Sequence, residues 1–139
     1  MAIGILIIAH APLASAWKNC CLHIFSAAGD AHAEEMICYD VFPDTDLTEG
    51  VREAKTLLKL FDGKQGVLVL TDLIGATPSN IAAKLSDHPN VRVVAGVNLP
   101  ALVAVLSAGA TLCVDQAAQL AESAAHAGIQ FVTPTSRHA

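Results

Sequence analysis

An imidazole, a carboxylate and a short glycine-containing turn are the parts of this chain that could carry chemistry. His10 closes an apolar run, residues 3–9, and is followed by Ala11-Pro12. A histidine at the carboxyl end of a buried strand, just ahead of a helix, stands where open α/β sheets hold their ligands. Asp72 closes a second apolar run, residues 66–71, and opens the segment Asp72-Leu-Ile-Gly-Ala-Thr-Pro78. If the two strands are neighbours, the carboxylate lies beside the ring. A carboxylate that accepts the N–H of one ring nitrogen fixes the tautomer, leaves the other nitrogen nucleophilic and stabilises the cation formed on attack. Gly75 and Ala76 permit close backbone approach, Thr77 is a suitable N-cap and Pro78 suits the first helical position. The amides of residues 75–80 then form an anion site, with phosphate its natural guest. A nucleophilic imidazole, an orienting carboxylate and a phosphate cradle together point to phosphoryl transfer through a phosphohistidine.

The elements that must position these residues alternate along the chain. Residues 3–9 form an unbroken apolar strand suited to burial on both faces. Residues 12–28 read as a helix with Leu13, Trp17, Cys20, Cys21 and Ile24 on one stripe, stopped by Gly29-Asp30. Residues 36–42 form a second strand closed by Pro43. A second helix starts at Asp46 or Thr48 and runs to Leu60, with Leu47, Val51, Ala54, Leu57 and Leu58 as its apolar stripe. Residues 66–71 form the third strand, 79–85 a helix, 91–97 a fourth strand and 98–107 another helix. An alanine-rich helix over 112–127 ends at Gly128, and 129–133 form a last short strand. This order predicts a doubly wound, mostly parallel α/β sheet of flavodoxin-like order, with helices on both faces and a short antiparallel edge strand at the end.

Bulk properties exclude several classes. The chain has 139 residues, which is one domain by length, and is 53% hydrophobic and 15% charged, the profile of a well-buried globule. A formal net charge of -5 with no run of Lys or Arg argues against nucleic acid as a partner. No apolar stretch reaches the length of a membrane span. No basic residue precedes the N-terminal apolar run, so it reads as a strand and not an export signal. Cys20, Cys21, Cys38 and Cys113 make no C-x-x-C pair, and free thiols in a reducing cytoplasm are expected.

The chain also resembles a known family. Ile-Ile-Ala-His10-Ala, the stretch from Gly66 to Asn80 and Val94-Ala-Gly-Val-Asn-Leu-Pro100 look like the enzyme IIA component of the mannose-type phosphotransferase system, in order and spacing along essentially the whole chain. The resemblance implies a single phosphocarrier domain over 1–139. It implies that a histidine matching His10 accepts a phosphoryl group from the phosphocarrier HPr and passes it to a IIB component, or that its phosphorylation state serves regulation. It assigns Asp72 to the supporting aspartate and Gly75-Ala-Thr-Pro78 to the turn that binds the phosphoryl oxygens through Gly75, Ala76 and Thr77. It also implies a cytoplasmic homodimer that exchanges its last strand, here 129–133, and needs no metal or organic cofactor. The chain departs from the family pattern at Ala11, Ile74, Ala76 and Thr77, and an alanine at a position needing φ > 0 would be strained. The dihydroxyacetone-kinase phosphotransfer subunit has a related first domain, but residues 96–100 and Thr77-Pro78 favour the mannose type.

Plainer roles compete for each residue. His10 could be a strand-end histidine satisfied by backbone groups, and Asp72 could simply close a strand or cap a turn. Asn98 reads as a cap for the helix after it, and Trp17 as packing between the first helix and the sheet. His23, His32, His88, His126 and His138 lack metal-ligand spacing. The rival function is a non-catalytic flavodoxin-like module that binds a phosphate-containing ligand at 72–80. It is disfavoured by an aromatic content of 4%, too low for a stacking site.

Overall fold

A computed structural model describes residues 1–28, 32–108 and 111–135. Strands β1 (Gly4–His10), β2 (Ile37–Val41), β3 (Val67–Thr71) and β4 (Val91–Ala95) form one sheet of order β2-β1-β3-β4, and every pairing is parallel. The chain winds outward from β1 to β2, then returns across β1 to place β3 on its other side. The switch point therefore lies between the carboxyl ends of β1 and β3, as the predicted order requires. Helices α1 (Leu13–Ile24), α2 (His32–Glu35), α3 (Leu47–Leu58), α4 (Thr77–Leu85), α5 (Leu99–Ala108) and α6 (Val114–Ala127) connect or cover the strands.

Alternation along the strands builds two cores. Ile5, Ile7 and Ala9 of β1, with Leu68 and Leu70 of β3, pack against α1, α5 and α6. Leu6, Ile8, Val67 and Val69 point to the other face, under α3 and α4. With apolar residues on both faces of the central strands, no polar position remains until the strand ends. That pattern leaves His10, half exposed at the end of a fully buried run, facing solvent at the carboxyl edge. Trp17 packs on the first core as expected. Cys21 behaves as a small buried hydrophobe, and Cys38 is half-buried against the same core. Burial above all, with the Cys20 and Cys38 thiols adding to it, pushes the Cys21 thiol up to about 11. Burial also takes Cys38 to about 11, against the pull of Lys18 and with help from Asp40.

Several boundaries differ from the sequence reading. The first helix ends at Ile24, followed by a 3₁₀ turn over Ser26–Ala28, and the expected stop at Gly29-Asp30 lies outside the described residues. Asp46 caps α3 by accepting the Glu49 N–H, but Leu47 is 40% exposed and sits off the buried stripe. Among the described residues, 129–133 form no β-strand, and Ile129, Phe131 and Val132 are 76%, 90% and 77% exposed.

One contact fixes the helix that follows His10. The Asp40 carboxylate, on β2, accepts the Ser15 N–H at 3.1 Å and a short hydrogen bond from the Ser15 hydroxyl. An anion from a neighbouring strand thus satisfies a first-turn amide of α1, which has no side-chain cap of its own. Asp40→Ala is expected to cost about 1–3 kcal/mol, as loss of a cap plus an orphaned donor. Urea denaturation should show a lower midpoint at unchanged slope. An unchanged midpoint would remove Asp40 from this role.

Candidate functional site

The strand order brings His10 and Asp72 into contact. Ile8 of β1 pairs with Thr71, the last residue of β3, so the residues just beyond both strands share the carboxyl edge. His10 Nδ1 lies 2.7 Å from Asp72 Oδ2, and the same oxygen accepts the His10 backbone N–H at 3.0 Å. The other carboxylate oxygen accepts the Leu73 N–H at 2.9 Å. Three donors hold two oxygens, so the carboxylate is fixed before any ligand arrives. Burial pushes the Asp72 carboxyl up. The hydrogen bonds from the His10 ring and from the His10 and Leu73 amides, together with the His10 ring charge, outweigh it and leave the group below its ordinary value. An ionised carboxylate against Nδ1 requires a proton on that nitrogen and leaves the Nε2 lone pair outward. The side chain of Asp72 is 11% exposed and that of His10 51%, so the anchor is sheltered and the nucleophile open.

The turn after Asp72 differs in detail from the sequence reading. Gly75 takes φ of 85°, where only glycine is unstrained. Ala76 sits at φ −91°, ψ 169°, so alanine there carries no strain. Ala76, and not Thr77, is the N-cap of α4, because the helix begins one residue earlier than the N-cap reading requires. Thr77 is the first helical residue and Pro78 the second, where its missing N–H costs nothing. The Asn80 N–H goes to the Ala76 carbonyl at 2.9 Å, and the Ser79 hydroxyl donates to the same carbonyl at 2.9 Å. Among the described residues, the N–H groups of Gly75, Thr77 and Ser79 meet no backbone acceptor. The exposed Thr77 hydroxyl and the positive end of α4 lie with these donors, whereas the Ala76 N–H, also expected to face an anion, is given to the Leu73 carbonyl at 3.3 Å.

Asn98 does what its sequence position suggests. Its Oδ1 accepts the Ala101 N–H at 3.2 Å and its Nδ2 donates to the Ala125 carbonyl at 3.0 Å, capping α5 and tying it to α6. Among the described residues no group of three His, Cys, Asp or Glu side chains could hold a metal ion. No helix among the described residues is long and apolar enough to cross a membrane. The sequence reading missed an apolar collar at this edge. Phe42, Leu73 and Ile74 follow directly on the ends of β2 and β3 and are 60%, 60% and 79% exposed. The signal was there as bulky apolar residues beside a polar strand end, in a loop that polar residues usually fill.

Comparison with known proteins adds to this geometry. The sequence model of the EIIA-man family, described as PTS system fructose IIA component, matches residues 4–127. A mannose/sorbose-specific IIA subunit from Enterococcus faecalis superposes with a TM-score of 0.84 at 21% identity, covering 99% of this chain and 100% of that one. A phosphotransferase system EIIA component from Streptococcus agalactiae gives 0.79 at 23% identity, over 93% and 96%. A IIA protein associated with the fucose utilization operon of Streptococcus pneumoniae gives 0.68 at 27% identity, over 87% and 89%. Comparison with curated proteins gives no match.

Proposed function

The chain belongs to the EIIA-man family of PTS system fructose IIA components, and from that premise we propose that it carries a phosphoryl group on His10 Nε2. It takes the group from the phosphohistidine of HPr. It passes the group to a IIB component, or presents its phosphorylation state to a regulatory target. The observation that carries this reading is the hold of Asp72 Oδ2 on both the backbone N–H and the ring Nδ1 of His10. The Nε2 lone pair attacks phosphorus, and the P–N bond to the donor histidine breaks with its electron pair returning to the donor ring. The proton on Nδ1 stays in its bond to Asp72, which stabilises the positive charge on the phosphorylated ring. The Gly75 and Thr77 amides and the Thr77 hydroxyl hold the phosphoryl oxygens. A module that only bound a phosphate-containing ligand would have no use for a ring held this way.

The apolar collar supports protein partners over a small substrate. Phe42, Leu73 and Ile74 follow strands that end at the same sheet edge as the open histidine, and they present the exposed hydrophobic surface that a docking protein covers. Four free cysteines suit a reducing, cytoplasmic setting. Incubation with enzyme I, HPr and phosphoenolpyruvate should add one acid-labile phosphoryl group, read by intact mass. No gain with a competent HPr overturns the proposal.

Two observations support a homodimer. The free side of β4 borders a cleft of about 860 Å³ lined by Arg92, Val93, Val94 and Ala95. Among the described residues, 129–133 form no β-strand, and Ile129, Phe131 and Val132 expose their apolar side chains. An open sheet edge and an exposed apolar segment in one chain complete each other when two copies exchange that segment. Light scattering should give a dimer for the full chain and a monomer after truncation beyond Gly128. A monomeric full chain, or a truncated dimer, would refute strand exchange.

A further inference from the structure

We propose that the cavity at the amino end of the sheet, opposite His10, binds a small polyanion bearing two or more phosphate or carboxylate groups. The cavity measures about 600 Å³ and lies where α3 and α4 end and the chain enters β3 and β4. That volume falls within the usual range for small-molecule sites. Lys55, Lys59, Lys64 and Lys84 line it, four of the five lysines in the chain. Only Asp62 and Asp87 oppose them there, whereas the rest of the chain holds four basic residues against eleven acidic ones. An acidic protein has thus gathered its positive charge into one cleft with low-dielectric walls, an arrangement that focuses the field on an anion.

The cations are available. Lys64 is anchored, with Nζ donating to the Met1 carbonyl at 2.8 Å and 3.9 Å from Glu35 Oε1. Among the described residues, the ammonium groups of Lys55, Lys59 and Lys84 have no hydrogen-bonded or ionic partner. Lys55 and Lys59 stand four residues apart on one helical face, where like charges repel and an anion between them relieves the repulsion. The negative helix ends account for Lys55 and Lys84, each in the last turn of its helix, and for Lys59 at the cap of α3, but not for Lys64 beyond them. Phe61 and Leu85 give the cavity an apolar floor on which the body of a ligand rests. Ammonium groups on flexible stems suit phosphate or carboxylate oxygens as point charges.

The test titrates inorganic pyrophosphate, ATP and citrate separately into the isotopically labelled full chain and follows amide shifts. Saturable shifts over residues 55–64 and 84–91 are expected with at least one probe. The two phosphorylated probes without citrate define a phosphate site, and citrate alone a carboxylate site. Replacing Lys55, Lys59 and Lys84 together with alanine should weaken binding at least about tenfold, since three charges are lost. All three side chains are exposed, so the variant keeps its fold. Arg52→Ala, a cation on the same helix outside the cavity, should leave binding within about twofold. Absence of saturable shifts there, shifts confined to residues 72–80, or equal weakening by Arg52→Ala overturns the proposal.

Discussion

His10→Ala is expected to abolish phosphoryl loading altogether while leaving the fold in place. The side chain is half exposed and its ring makes one hydrogen bond, so the stability change should stay within about 1 kcal/mol. Loss of the nucleophile leaves no second acceptor at this edge. The neighbouring hydroxyl of Thr77 has no base beside it, and nucleophilic catalysis needs an activated atom. Intact mass after incubation with phosphoenolpyruvate, enzyme I and HPr should show no added phosphoryl group in the variant. A gain that persisted would place the acceptor elsewhere and end the case for His10.

Asp72→Asn is expected to slow loading by about 10²–10⁴-fold, the scale of losing an orienting acid beside a reacting imidazole. The substitution looks conservative but cannot satisfy the site. One carboxylate oxygen takes two His10 donors and the other takes the Leu73 N–H. An amide turned either way sets its NH₂ against a donor, so the ring loses its fixed tautomer or the turn loses its anchor. A single-turnover rate measured with phospho-HPr reads the effect directly, and a rate within about threefold of wild type, too small a barrier change for this role, would remove Asp72 from it. The same pair gives a sign for pH. The folded Asp72 carboxyl is held below its ordinary value of about 4, so its stabilising contribution is present above that value. It is lost as pH falls through the lowered folded value. The acid limb of the stability profile should be correspondingly shallower in Asp72→Asn.

Strand periodicity made the fold and the His10–Asp72 contact legible. Runs buried on both faces announce central parallel strands, and two such runs ending in His10 and Asp72 meet once β1 and β3 are neighbours. The rest depended on information that periodicity does not contain. Whether Ala76 or Thr77 caps α4 turns on one residue of backbone phase, which Pro78 tolerates at either of the first two helical positions. The expectation for 129–133 followed a β-like composition, but composition does not say which edge a segment reaches, and here it lies on neither edge of its own sheet. Asp40 gave no signal, because it caps a helix 25 residues away in sequence through a contact made only by packing. The lysine cleft was invisible for the same reason. Its members are spread over α3, the loop before β3 and α4, and no run of Lys or Arg marks them.

Asp72 Oδ2 engages the ring and the backbone of one residue at once, so only one nitrogen of that ring ever faces outward. On the proposed function, cargo therefore enters and leaves by the same door. A loading protein and an unloading protein would then occupy this single face by turns, and the chain would not be served by both together. Flux through such a shuttle obeys a queue: an excess of idle partners on either side stalls it as surely as a shortage.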